Sequence, residues 1–326
     1  MNWKLAYAFV LLTVPASLVA QTAPARPKEA TKTTKWIGPR TPDGQPDLQG
    51  VWTNATRVPL ERPVELGSKE FYTKQEAAEA ASRGLRGDRP KSYAAVQYNL
   101  TQFGLETGQE TLAPSLRTSL IVGPTGRIPP MTADGKRRAA ERAAFNQKHA
   151  FDGPETRSLS EQCILWPNEG PPMLPGGYNS NLQIVQGPGY VAILNETIHD
   201  TRVIPLDGRP HLPASVRQWR GDPRGHWEGD TLVIDSSNFT GRTAFRGASE
   251  RLHVVERLTR TAANTIMYRF TIEDPSTWIQ PWSGEAMMVT ISSPIYEYAC
   301  HEGNYGMADI LAGARAQEQA EASGKK

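Results

Sequence analysis

The chain has 326 residues, with 36 Lys and Arg against 34 Asp and Glu. So even a balance excludes an electrostatic case for nucleic acid or an anionic membrane surface as partner. Its 28 Gly, 26 Pro and 8 Trp make a turn-rich, aromatic composition that favours β structure over a helical bundle.

Residues 1–20 read as a cleavable export signal. Lys4 precedes an apolar run from Leu5 to Leu12, Val14 and Leu18-Val19, and Ala20 closes it before Gln21. The apolar stretch covers roughly 14 residues and is interrupted by Pro15. A bilayer needs ~20, so cleavage is expected rather than anchoring. No later segment is apolar enough to span a membrane, and the expected location is periplasmic or secreted.

Residues 21–45 read as a flexible leader and 46–155 as a mixed helix and strand region packing on a barrel. Asp47 to Trp52 is the first strand, with Trp52 anchored inside. Thr73-Lys74-Gln75-Glu76 is a capping box whose helix stops at Gly84. Ser119–Val122 and Arg127–Pro130 read as strand, turn and strand. A second helix covers Gly135 to His149, with Lys136, Arg137, Arg138 and Arg142 on a basic, solvated face.

From Leu159 onward the hydrophobic period becomes two. Strands are expected at Leu182–Gln186, Tyr190–Asn195, Thr201–Leu206, Ser215–Arg220, Gly225–Glu228, Thr231–Ser236, Leu252–Thr261, Thr265–Glu273 and Ala286–Ser292. Connections such as Asp207-Gly208 and Glu228-Gly229-Asp230 are too short for parallel crossovers. The expected fold is therefore mainly β. It is an antiparallel up-and-down barrel of calycin or lipocalin-like kind, or a bent sandwich, over 156–303. A few helices lie at its periphery, and a C-terminal helix follows within 304–326, over Met307 to Glu321.

Cys163 and Cys300 are the only cysteines. In an oxidising compartment they are expected to pair, which ties the start of the β-rich region to its end. That pairing would bring two unusual loops together, the proline-stiffened stretch from Trp166 to Tyr178 and the stretch from Trp278 to Tyr305. Tyr178, Trp278, Trp282 and Tyr296 would then line an aromatic cleft with His301 and Glu302 at its edge. The alternative is plain plugging of the barrel end.

Alternation along Leu252–Thr259 puts Glu256 on the apolar face, where a carboxylate must be paired, protonated or functional. Arg269 on the next strand is the expected partner. A structural ion pair and a ligand-facing acid both remain open. The six histidines are scattered and none forms a close ligand pair, so no metal is expected. Nucleophile-elbow and phosphate-loop motifs are missing, and no cofactor is expected.

Several phrases resemble a family of exported proteins of environmental bacteria. They are Asp47 to Trp52, Gly126 to Pro130, Asp222 to Asp235, Leu252 to Arg257 and Tyr296 to Tyr305. They span most of the chain, so the resemblance implies export and a shared architecture. It supplies no catalytic residue. The chain departs from the family pattern at Ala248-Ser249-Glu250-Arg251.

Three functions are open. The first is a secreted barrel binding a small, partly apolar or aromatic ligand through Trp227, Glu256, Arg269, Trp278, Trp282 and Tyr296. The second is a cofactor-independent hydrolase, lyase or isomerase in which Glu256 or Glu302 works with His226 or His301 as acid and base. The third is a structural or interaction protein of the cell envelope. Ligand identity and oligomeric state are not legible in the sequence.

Overall fold

The computed structural model describes residues 36–85, 113–166, 169–175, 179–242 and 245–324. The expected signal, residues 21–35 of the leader and Tyr178 lie outside the described residues. Residues 36–45 are held in place: Arg40 bridges Pro46 and pairs with Asp230 at 2.8 Å.

Nine strands realise the period-two pattern. They are β1 (Gly50–Thr53), β2 (Asn181–Gly187), β3 (Tyr190–Asn195), β4 (Thr201–Pro205), β5 (Asp222–Glu228), β6 (Thr231–Ser237), β7 (His253–Ala262), β8 (Thr265–Glu273) and β9 (Trp282–Thr290). Their order is β4-β3-β2-β1-β9-β8-β7-β6-β5, and every neighbouring pair is antiparallel. Two meanders, β2 to β4 and β5 to β9, are joined by β1, which hydrogen-bonds to both. The result is a nearly closed, lipocalin-like barrel, as the alternation predicts.

The seam lies between β4 and β5. A Cβ on Gly225 would stand 2.7 Å from Ile204 Cγ2 and 2.6 Å from Leu206 Cδ2, so only glycine lets the two edges come this close. Two expected pairings shrink to single bridges. Ser215–Arg220 keeps only Gln218 against Phe239, and Ile121 and Met131 bridge Gly284 and Trp278. Pro124, Pro129 and Pro130 lack the amide protons a longer ladder needs in the second case.

Among the described residues three helices flank the barrel: α1 (Lys74–Leu85), α2 (Ala133–His149) and α3 (Tyr305–Ala322). The capping box forms as expected. Thr73 N donates to Glu76 Oε2 at 2.8 Å, and Glu76 N donates to Thr73 Oγ1 at 3.2 Å. Helix α2 starts ahead of Gly135 because Thr132 is its cap, accepting from Gly135 N at 3.0 Å.

Inward positions fill the lumen. Trp52, Ile184, Ile193, Ile204, Leu232, Ile234, Leu258, Ile266, Tyr268 and Ile272 are fully buried. Trp52 Nε1 donates to the Leu48 carbonyl at 3.0 Å, which satisfies its one polar atom. One end of the barrel is closed by the tight turns at 187–190, 228–231 and 262–265. Longer connections gather at the other end, where residues 169–175 form a cap. The Cys163–Cys300 disulfide spans 5.8 Å between Cα atoms and links the segment before the cap to the segment after β9.

Candidate functional site

The structure offers three groupings of functional side chains: a sealed polar set in the lumen, a cleft at the capped end and a row of acids and imidazoles outside. Glu256 belongs to the first and is fully buried on β7. Its partner is Arg202 of β4, which reaches across the lumen with both terminal nitrogens, one to Glu256 Oε1 at 3.0 Å and the other to Oε2. Tyr268 Oη donates to Glu256 Oε1 at 2.8 Å and accepts from Met173 N of the cap at 2.8 Å. Burial first, and the neighbouring carboxylate second, push the Tyr268 hydroxyl well up. Both oxygens of Glu256 are thus occupied and the side chain is closed off from solvent.

The expected Glu256–Arg269 pair does not form. Register sets Glu256 opposite Phe270 and Arg269 opposite Arg257, so Arg269 faces outward and pairs with Glu285 at 3.1 Å. A second buried pair sits near the cap, where Arg220 holds Glu169 and lies 2.8 Å from Asp200. Burial pushes Glu169 up to about 7 despite the Arg220 charge. Among the described residues, Nε of Arg202 and Nη1 of Arg220 have no acceptor.

The expected aromatic cluster divides. Trp278 and Trp282 meet edge to face at 5.6 Å, with Phe270 5.9 Å from Trp282, and all three are core side chains. Trp227 packs half-buried against the core on β5. Tyr296 is 61% exposed. His301 and Glu302 are exposed in the turn between Cys300 and α3. His226 is on the outer face of β5, 3.1 Å from Glu228 and on the opposite face of the sheet from Glu256.

The cleft is the second grouping. It holds about 310 Å³ between α2 and the connections that follow β6 and β8. Arg138 and Arg142 come from α2, Ala248, Ser249, Glu250 and Arg251 from the first connection and Ser276 from the second. Arg138 Nη2 donates to Thr277 Oγ1 at 2.7 Å and Arg142 Nη2 to the Gly241 carbonyl at 2.8 Å. Among the described residues none of the three arginines pairs with a carboxylate.

The third grouping escaped the sequence reading. Asp222 Oδ2 faces His211 Nδ1 at 3.1 Å, and His211 Nε2 faces Asp235 Oδ1 at 2.9 Å. Asp235 Oδ2 faces His253 Nε2 at 2.9 Å, and His253 Nδ1 faces Glu273 at 3.4 Å. Each ring nitrogen therefore meets a carboxylate, an arrangement only the doubly protonated imidazole satisfies at both ends. Hydrogen bonding to Asp235 raises the His253 pKa, and the same bond first, with His211 after it, lowers that of Asp235. Asp222 is buried and pinned by Arg224 at 2.6 Å and Leu212 N at 2.7 Å. Strand alternation puts Asp235, His253 and Glu273 on one face. Only the fold adds His211, which arrives on the β4–β5 connection.

Among the described residues, no cluster of three or more His, Cys, Asp or Glu side chains has a geometry that could hold a metal. No helix there is long and apolar enough to cross a membrane. Comparison with protein-family models, with curated proteins and with solved structures gave no match.

Proposed function

We propose that the chain is exported and binds a small acidic molecule, with an aromatic or apolar part, in the cleft beside α2. The observation that carries this reading is the set of three guanidiniums, Arg138, Arg142 and Arg251, against the one carboxylate of Glu250, which Arg217 already engages at 3.6 Å, around about 310 Å³. Planar guanidiniums suit carboxylates in paired hydrogen bonds, and they also stack on aromatic rings. The volume falls at the small end of the ~300–1,000 Å³ typical of ligand sites. The ligand class keeps the expected partly apolar character and adds a negative charge. The site moves from the lumen, which side chains fill, to the capped end.

Export is supported by the apolar leader pattern at 1–20 and by a disulfide that suits an oxidising compartment. Thiol counting on denatured material from the cell envelope or medium should find no free thiol. Binding is tested by melting the oxidised protein with benzoate and phenylacetate, using the matching amides as neutral controls. The acids should raise the melting temperature and the amides should not. Arg251→Ala and Arg142→Ala should each weaken the effect about tenfold, the scale of one lost charged hydrogen bond. If no acid shifted the wild-type melting temperature at millimolar concentration, the binding reading would fall.

A second reading, acid–base catalysis, draws support from Asp235, held at 2.9 Å by an imidazole on either side. Buried Asp222 orients His211 from behind, as a catalytic imidazole requires. A panel of esters and lactones would test it. Turnover that vanishes in His211→Asn while the fold persists supports catalysis, and equal rates in both proteins exclude it.

A further inference from the structure

The capped end of the barrel holds more buried oxygen than the protein's own donors satisfy. Asn54, just after β1, is 3% exposed, and Glu169 of the cap is 1% exposed. Asn54 Nδ2 donates to the Met173 carbonyl at 3.2 Å, and Glu169 Oε2 receives Arg220. The remaining oxygen of each, Asn54 Oδ1 and Glu169 Oε1, is buried and meets no donor among the described residues, and the same is true of Asn179 Oδ1. All three residues line one void of about 10 Å³. That is about the least space that admits one water-sized guest.

The charge around the void has a sign. Glu169, Glu196 and Asp200 are three carboxylates. Among the described residues Arg220 pairs with Glu169 and Asp200, while Arg202 is matched by Glu256. Glu196 joins the group through Asn181, which lines the void and donates to its Oε2 at 2.7 Å. Carboxyl groups therefore outnumber guanidiniums here, and burial raises the pKa of both Glu169 and Glu196. A water molecule has two protons, so it satisfies two of the three orphaned oxygens and brings no positive charge. A divalent cation answers both deficits.

We propose that Asn54, Glu169 and Asn179 form an oxygen-lined site for a single calcium ion. One carboxylate and two amide oxygens on irregular backbone make a hard, adaptable ligand set. That set suits calcium better than zinc, which prefers nitrogen and sulfur, or magnesium, which demands a regular octahedron. The ion would join the cap to the end of β1 and the approach to β2, and so lock the lid of the barrel.

The test uses the full oxidised chain stripped with EDTA. Terbium chloride should give tryptophan-sensitised emission that calcium chloride displaces, with one site per chain. Affinity should fall near the ~10⁻⁴–10⁻³ M of extracellular calcium modules. Calcium chloride should raise the melting temperature, and magnesium chloride at equal ionic strength should not. Glu169→Gln should weaken calcium about tenfold or more, because charge count tunes such sites. Asn179→Ala leaves the Arg220 pair intact and should weaken calcium severalfold if the first variant fails to fold. Wild-type protein that gives no sensitised emission and no calcium-specific shift would overturn the site and leave a water-filled void. Equal calcium affinity in a folded variant would overturn the ligand assignment.

Discussion

On β7, Glu256 points into the barrel and His253, three residues earlier, points out of it. Both meet an oppositely charged group on another strand. Glu256 and Arg202 are sealed from water, share two hydrogen bonds and receive a third from Tyr268. His253 and Asp235 are each about a third exposed and belong to an open row of five groups. The same kinds of side chain therefore do different work. A buried pair is costly to break because the survivor keeps an unpaired charge in a low dielectric. An exposed row is weak in each link, yet its charge can change with pH.

The largest expected effect comes from breaking the buried pair. Glu256→Gln should cost about 3–5 kcal/mol in urea unfolding, because Arg202 stays buried without its counter-charge. The double variant Arg202→Met, Glu256→Leu should recover most of that loss. If the single variant cost under about 1 kcal/mol, water would have to reach the lumen and the contrast with the outer row would collapse. Tyr268→Phe comes next, at about 1–3 kcal/mol, since it leaves Met173 N buried without an acceptor.

The outer row should be seen best against pH. The His253 pKa is raised on folding, so its contribution is complete below the unfolded value of about 6.5 and fades as pH climbs through the folded value. The Asp235 pKa is lowered, so its contribution is complete above about 3.9 and fades as pH falls through the folded value. The row should therefore stabilise most between these limits. His253→Asn should remove about 0.2–1 kcal/mol at pH 5.5 and much less at pH 8.5. Chemical denaturation at the two pH values measures the difference, and an equal loss at both would sever the row from titration. The smallest effect belongs to Arg269→Ala, under about 0.5 kcal/mol, because its pair with Glu285 is exposed on the arginine side.

Alternation along single strands makes the barrel legible, because each inward residue of β6 to β9 is named by a period of two. It also marks Glu256 as a buried acid. It cannot name the partner, because Arg202 lies across the lumen on β4 and only the curvature of the closed sheet brings the two together. The expected partner, Arg269, fails by the same rule that found Glu256, since the register turns it outward. His211 illustrates a second limit. It sits on a connection without periodicity, so its place between Asp222 and Asp235 depends on where the chain is carried, not on local pattern. The Trp278–Trp282 stretch looks like a loop because of Pro281, yet Trp282 opens β9 and plugs the core.

The short strand β1 carries a consequence for how this chain reaches its final shape. Each meander consists of neighbours in sequence and can zip from its own turns. Trp52, by contrast, pairs with Thr290. A polypeptide made from its N-terminus presents β1 first and β9 almost last, so the strand that unites the two halves must wait for nearly the whole chain. Until then each half exposes an unpaired edge, the kind of surface that invites pairing with a stranger. A helper that shields nascent edges would matter more here than for a barrel whose strands close in order. Truncation at the C-terminal side of β8 should leave β1 paired with β2 alone, as one edge of an open sheet rather than part of a smaller barrel.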